Sequence, residues 1–144
     1  MGPDLMGGVL TEATIENVGD LWNVSQGILT PEQVRRITIS DAIVDTGATT
    51  LALPTRLIRQ LGLNKTYEKM ATSSRGVSPV NVYDAVRLTL LDRYCTVDVM
   101  EVPDDAPALI GHIPLTMLDL VTDLQGSCLI GNPAHGGEQM LELY

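Results

Sequence analysis

Two short apolar runs, Ala42-Ile43-Val44 and Leu51-Ala52-Leu53, flank the polar hexapeptide Asp45-Thr46-Gly47-Ala48-Thr49-Thr50. Apolar runs of this length read as buried strands, and Gly47 marks a tight turn between them. A carboxylate is therefore delivered, at a turn, into otherwise apolar surroundings. An unpaired buried charge is costly, so Asp45 needs partners or a task. One reading is an Asx turn in which Asp45 hydrogen-bonds its own backbone. The other is a reactive carboxylate, and these residues alone do not separate the two.

The surrounding pattern is that of a β protein. Ile37 and Ile39 alternate with Arg36, Thr38 and Ser40, the period of a half-buried strand that runs into the Asp45 turn. Val80, Val82, Val86, Leu88 and Leu90 alternate with polar residues, with Asp84 interrupting the apolar face. Leu91-Asp92-Arg93 then turns into a strand bearing Cys95, Val97 and Val99. Tyr67 to Val82 reads as two strand-like arms around Ser73-Ser74-Arg75-Gly76, where Gly76 permits a positive φ. Pro54 suits a first helical position, Leu57, Ile58 and Leu61 share one helical face, and Gly62 suits the C-terminal cap. Pro103 to Pro107 reads as a loop, Leu109-Ile110-Gly111 as a buried strand, and Pro114 as the start of a short helix bearing Leu115 and Leu118. Leu120 to Ile130, broken at Gln125-Gly126, reads as a hairpin, and Gln139 to Tyr144 alternates like a final strand. Residues 1–34 are the least readable, with a loose strand from Val9 to Glu16 and a turn at Gly19-Asp20. With no Phe and an aromatic fraction of 3%, the core is expected to be aliphatic.

A chain of 144 residues is most simply one domain, able to bury about 68% of its unfolded surface. Its net charge of −9 is unevenly spread. Residues 1–34 carry five acids and no base, residues 35–93 all nine Lys and Arg, and residues 94–144 eight acids and no base. That balance opposes nucleic-acid binding through phosphates and leaves the basic middle as a solvated surface. No apolar run approaches the roughly 20 residues of a membrane span, and no positive charge precedes Arg35, which argues against a secretory leader. Cys95 and Cys128 are too few for a disulfide scaffold and form no metal-ligand spacing. They are read as reduced core residues of a cytoplasmic protein. His112 and His135 are read as hydrogen-bonded structural residues, and no metal or organic cofactor is expected.

Ile43 to Ala48 resembles the hydrophobic-hydrophobic-Asp-Thr-Gly-Ala signature of the retroviral-type aspartic proteases, the retropepsins. Ala108-Leu109-Ile110-Gly111 resembles their second signature, two hydrophobics and a glycine before a short helix. The resemblance runs from about Ile37 to the C-terminus. It is strongest to the stand-alone bacterial-type members, particularly at Ile113-Pro114-Leu115 and Asn132-Pro133-Ala134-His135-Gly136-Gly137. It implies an all-β, half-barrel acid protease fold with a flap hairpin and one or two short helices, in a homodimer whose chain ends interleave. It implies an endopeptidase acting on peptide or protein substrates without cofactor, nucleic acid or membrane.

The roles it implies are specific. Asp45 would be the catalytic carboxylate, paired with that of a second subunit because the chain holds one Asp-Thr-Gly. Thr46 would brace the two active-site loops, and Gly47 would leave its backbone open to substrate. Ala48 and Thr49, the flap residues Arg75, Gly76 and Val77, and Ile110 would contact substrate, while Gly111 would let its strand pass close behind the aspartate turn. The chain departs from the retroviral pattern at Thr49 and His112, where an Asp and an Arg often pair, and in a flap tip with few glycines. A retropepsin-fold dimer that binds peptides with little cleavage is the alternative. A phosphoryl-transfer enzyme using Asp45 as nucleophile is disfavoured, since the pumps that do so need a Lys after the Asp and a far larger chain.

Overall fold

A computed structural model describes residues 9–123 and 125–143. The first eight residues, Leu124 in the expected last hairpin and Tyr144 at the expected last strand lie outside the described residues. Along the chain run β1 (Leu10–Asn17), α1 (Val18–Ser25), β2 (Arg36–Val44), β3 (Leu51–Pro54), α2 (Thr55–Gln60), β4 (Lys65–Ser73) and β5 (Gly76–Leu90). They are followed by β6 (Arg93–Val102), β7 (Leu109–Ile110), α3 (His112–Leu118), β8 (Leu120–Thr122) and β9 (Leu129–Gly131). The chain is mostly strand with a few short helices, the all-β retropepsin-like class that the signatures implied.

Seven strands form one sheet in the order β1-β2-β7-β3-β6-β5-β4, and β1 also pairs with β5. The long strand β5 makes this possible. Its first half pairs with β4, from Gly76 to Tyr83, and its second half pairs with β1, with Val86 opposite Asn17 and Thr89 opposite Thr14. The sheet thereby curls until its first strand meets its sixth. Asp84 marks the change of partner, where the pairing with β6 shifts register between Tyr83 and Val86. Its carboxylate accepts the Asn64 N–H at 2.9 Å, so the acid that interrupts the apolar alternation fastens a bulge.

The core inside this curl is aliphatic, as the composition requires. Ile15, Leu51, Leu53, Ile58, Leu61, Leu88, Leu90, Ile110 and Leu118 are its largest fully buried side chains. Alternation along β6 buries Cys95, Val97 and Val99 and turns Thr96 and Asp98 outward. Burial pushes the Cys95 thiol up to about 11. Cys128 corrects the expectation of a second core cysteine: it is exposed in the β8–β9 hairpin, its thiol 3.2 Å from Asp123 Oδ2.

Four local expectations need correction. Gly19-Asp20 lies inside α1 rather than in a turn. Asn17 caps that helix by accepting the Asp20 N–H at 2.9 Å and donates from Nδ2 to the Leu61 carbonyl at 2.8 Å. Pro54 closes β3 and caps α2, which begins one residue later at Thr55. α3 opens at His112, two residues before Pro114. Residues 139–143 form no strand.

The basic middle is also not merely a solvated face. Arg35 forks onto the buried Asp20 at 2.8 and 2.9 Å and holds its carboxyl below the usual range. Because Asn17 joins β1, α1 and the end of α2 through two buried hydrogen bonds, Asn17→Ala is expected to destabilise the fold by about 2–3 kcal/mol. Urea unfolding at fixed protein concentration measures it, and a change below about 0.5 kcal/mol would contradict the joint.

Candidate active site

β2 and β7 run parallel, with Ile43 opposite Leu109 and Val44 opposite Ile110, and both point at the Asp45 turn. β3 leaves that turn antiparallel to β7, with Leu51 opposite Ile110. β7 therefore threads between the two strands that the turn joins. Its last carbonyl, at Ile110, accepts the Asp45 N–H at 2.9 Å. The turn closes on itself through the Ala48 N–H and the Asp45 carbonyl at 3.0 Å.

The turn also serves α3. The first N–H groups of a helix have no partner within it. Here the carbonyls of Thr50, Ala48 and Thr49 accept the N–H groups of Gly111, His112 and Ile113, each at 2.9 Å. This arrangement requires close approach of two backbones, which Gly111 permits. A Cβ there would lie 2.6 Å from the Ala48 carbonyl oxygen and 2.6 Å from the Thr49 carbonyl carbon. The expected role for Gly111, a strand end passing tightly behind the aspartate turn, is thus present as geometry.

Asp45 is half-buried, while Thr46 and Gly47 are exposed at the tip of the turn. Asp45 Oδ1 accepts the Gly47 N–H at 3.0 Å, so the Asx turn exists. Oδ2 accepts no hydrogen bond from the described residues. One carboxylate oxygen is thus fixed by the turn, and the other has no partner among the described residues.

Ile110 corrects an expectation. The resemblance implies that it contacts substrate, but its side chain is fully buried in the core. In a two-residue strand the neighbours face opposite ways, and Leu109, half-buried, takes the outward side. Ala48 is half-buried beside the aspartate and Thr49 is exposed.

The expected flap is a hairpin of β4 and the first part of β5, joined by Ser74 and Arg75, with Gly76 at φ 100. Arg75, Gly76 and Val77 are exposed at its tip, and no hydrogen bond among the described residues joins the tip to the aspartate turn. Its base is fastened instead. Glu101, at the end of β6, accepts from Thr55 Oγ1 at 2.6 Å, Asn81 Nδ2 at 2.9 Å and Tyr83 Oη at 3.3 Å. The Thr55 hydroxyl leads in holding the Glu101 carboxyl below its usual range. Nothing in the local pattern around Glu101 announces this anchor, because its three donors come from two other elements.

The aspartyl protease family model matches residues 35–132, more than half of the chain. The chain belongs to the retropepsin-like aspartyl proteases. Both signatures and the hairpin lie inside that match, whereas β1 and α1 lie before it. No curated protein matches the sequence. In this aspartyl protease the general activity class follows from the family, and the geometry above says which groups surround its aspartate. Among the described residues no group of three or more His, Cys, Asp and Glu is placed to hold a metal ion, and no helix is long and apolar enough to cross a membrane. Of the two histidines, His135 is hydrogen-bonded through both ring nitrogens, while His112 is exposed at the start of α3, contrary to its reading as a bonded structural residue.

Proposed function

We propose that the protein is an aspartic endopeptidase whose active site is assembled from the Asp45 turns of two copies, each chain folding as one unit. The observation that carries this reading is a single Asp-Thr-Gly turn, braced from behind and open in front, with one aspartate oxygen fixed by the Gly47 N–H. Peptide hydrolysis by carboxylates needs two of them about 3 Å apart sharing one proton. A chain with one such turn reaches that arrangement only by pairing.

In the paired site a water lies between the two carboxyls. The ionised one takes its proton while the protonated one donates to the peptide carbonyl oxygen, giving a tetrahedral diol. Transfer of a proton to the amide nitrogen then lets the C–N bond break, leaving a carboxylic acid and an amine. Thr46, exposed at the turn, braces the partner turn. Gly47 and Ala48 present backbone and a small wall to the peptide. Arg75, Gly76 and Val77 at the hairpin tip cover it, and Leu109 lines the side that Ile110 does not reach.

Subunit mixing tests the shared site. Wild-type and Asp45→Asn chains are mixed, allowed to exchange, and assayed where all chains are paired. Random pairing makes the active fraction the square of the wild-type fraction, so an equal mixture should retain about a quarter of the activity, because an Asn partner cannot share the proton. A straight-line fall to half, after verified exchange, would mean that each chain carries a complete site.

A further inference from the structure

Residues 132–143 form no strand in this chain, yet they are tied to the end of α3. The tie is Asp119, which ends the helix at φ 56 and is 7% exposed. Its Oδ1 accepts from Asn132 Nδ2 at 3.1 Å. Its Oδ2 lies 2.6 Å from His135 Nδ1 and accepts the Met140 N–H at 3.0 Å. The far nitrogen of the same ring, His135 Nε2, lies 3.3 Å from Glu142 Oε2. Both ring nitrogens thus face carboxylates. A neutral imidazole has one N–H and can donate to only one of them, leaving a lone pair against the other. The imidazolium donates to both.

The remaining charged group packed here is Arg93 of β6. Its guanidinium donates to the carbonyls of Leu118 and Asp119, at 2.9 and 3.0 Å, and to that of Gly137. It is used on backbone oxygens and forms no ion pair with the Asp119 carboxylate among the described residues. Glu138 meets His135 through its own backbone N–H, 3.2 Å from the His135 carbonyl. His135 is therefore the one group that lies between the Asp119 and Glu142 carboxylates among the described residues.

We propose that His135 is a proton-operated clasp on the C-terminal segment: charged, it holds residues 140–142 against the end of α3 through Asp119 and Glu142, and neutral, it lets the Glu142 arm go. The segment it controls carries Met140, Leu141 and Leu143, which are 50%, 60% and 85% exposed. The clasp thus decides whether an apolar tail lies on its own subunit or is released from it. This inference goes beyond the protease reading and stands without it.

The direction of the pH response follows from the same contacts. Asp119 first, then Glu142, raise His135 above its ordinary 6.5. His135 in turn is the main cause holding Asp119 below its ordinary 3.8. A raised histidine contributes stability that is complete below pH 6.5 and is lost as pH rises through the raised value. The lowered aspartate contributes stability above pH 3.8 that is lost as pH falls through the lowered value. The clasp is closed between these limits and opens on the alkaline side. Glu142 is 76% exposed, so solvent screens its arm and the response is modest.

The test is an NMR titration of the full chain between about pH 5 and pH 8, following the His135 ring and the exchange of the Met140 amide normalised to an unstructured peptide. The expected result is a His135 midpoint above 6.5 and a fall of about fivefold in Met140 protection as the ring loses its proton. Glu142→Gln, an exposed change that leaves the core intact, should lower the midpoint and flatten most of that fall. His135→Gln, which can still donate to Asp119, should flatten it fully. A His135 midpoint at or below 6.5, constant Met140 protection across the range, or the same fall in His135→Gln would each overturn the clasp.

Discussion

Asp45→Asn should give a folded protein whose peptide hydrolysis is slower by about four orders of magnitude. The fold is spared because the asparagine carbonyl can replace Asp45 Oδ1 as acceptor of the Gly47 N–H at 3.0 Å. The backbone contacts that set the turn, from Asp45 N to the Ile110 carbonyl and from Ala48 N to the Asp45 carbonyl, involve no side chain. The chemistry is not spared, since an amide neither takes a proton from water nor shares one with a neighbouring carboxyl. Thermal unfolding within about 2 °C of wild type, beside a collapse in kcat/KM on a fluorogenic peptide, is the expected pair of readings. Hydrolysis near the wild-type rate in a variant with an unchanged midpoint would remove Asp45 from the mechanism.

Gly111→Ala should act in the opposite manner, damaging structure first and activity through it. Gly111 has φ −88 and ψ −174, a conformation open to any residue, so no backbone strain is involved. The penalty is contact. The new methyl would sit 2.6 Å from the Ala48 oxygen and 2.6 Å from the Thr49 carbonyl carbon, and both are main chain and cannot rotate away. Either α3 or the aspartate turn must move, at about 3 kcal/mol. The Gly111, His112 and Ile113 hydrogen bonds to that turn are lost or lengthened with it. Gly126→Ala is the control, because nothing lies within 4 Å of a Cβ there and only its φ of 67 opposes the change, for about 1 kcal/mol. Urea midpoints at one protein concentration separate the two. A Gly111→Ala protein no less stable than the Gly126→Ala control would show that the backbones are not in contact.

The parts of this molecule that were legible in its sequence are those with a repeating local cause. Alternation revealed β2, β5 and β6 because one face of each packs on a core and the other does not. Asp84 stands out as a break in that alternation, and the break coincides with the register shift against β6. The aspartate turn and the Gly111 approach were legible through their resemblance to two signatures. Features set by distant partners were not. Asn17 caps α1 and Asp20 lies inside it, with Leu61 and Arg35 completing their hydrogen bonds, whereas Gly19-Asp20 alone looks like a turn. α3 starts at His112 because the carbonyls that satisfy its first N–H groups belong to residues 48–50. A strand as short as Leu109–Ile110 offers no period to read, so the residue expected on the substrate side, Ile110, is the one that faces the core. The alternation of the tail was real, but Asp119 and His135, not a neighbouring strand, decide where it lies.

The threading of β7 between β2 and β3 also fixes the order in which the molecule can be completed. Asp45 emerges early in synthesis, yet the Ile110 carbonyl that accepts its N–H, and the N–H groups of Gly111, His112 and Ile113 that donate to the carbonyls of Thr50, Ala48 and Thr49, emerge more than sixty residues later. β1 waits in the same way for Val86 to Thr89 of β5. Pairings between segments so far apart repay their loop-closure entropy only after both ends exist. A growing chain on the ribosome therefore carries its aspartate on an unbraced segment until β7 and the start of α3 have followed it.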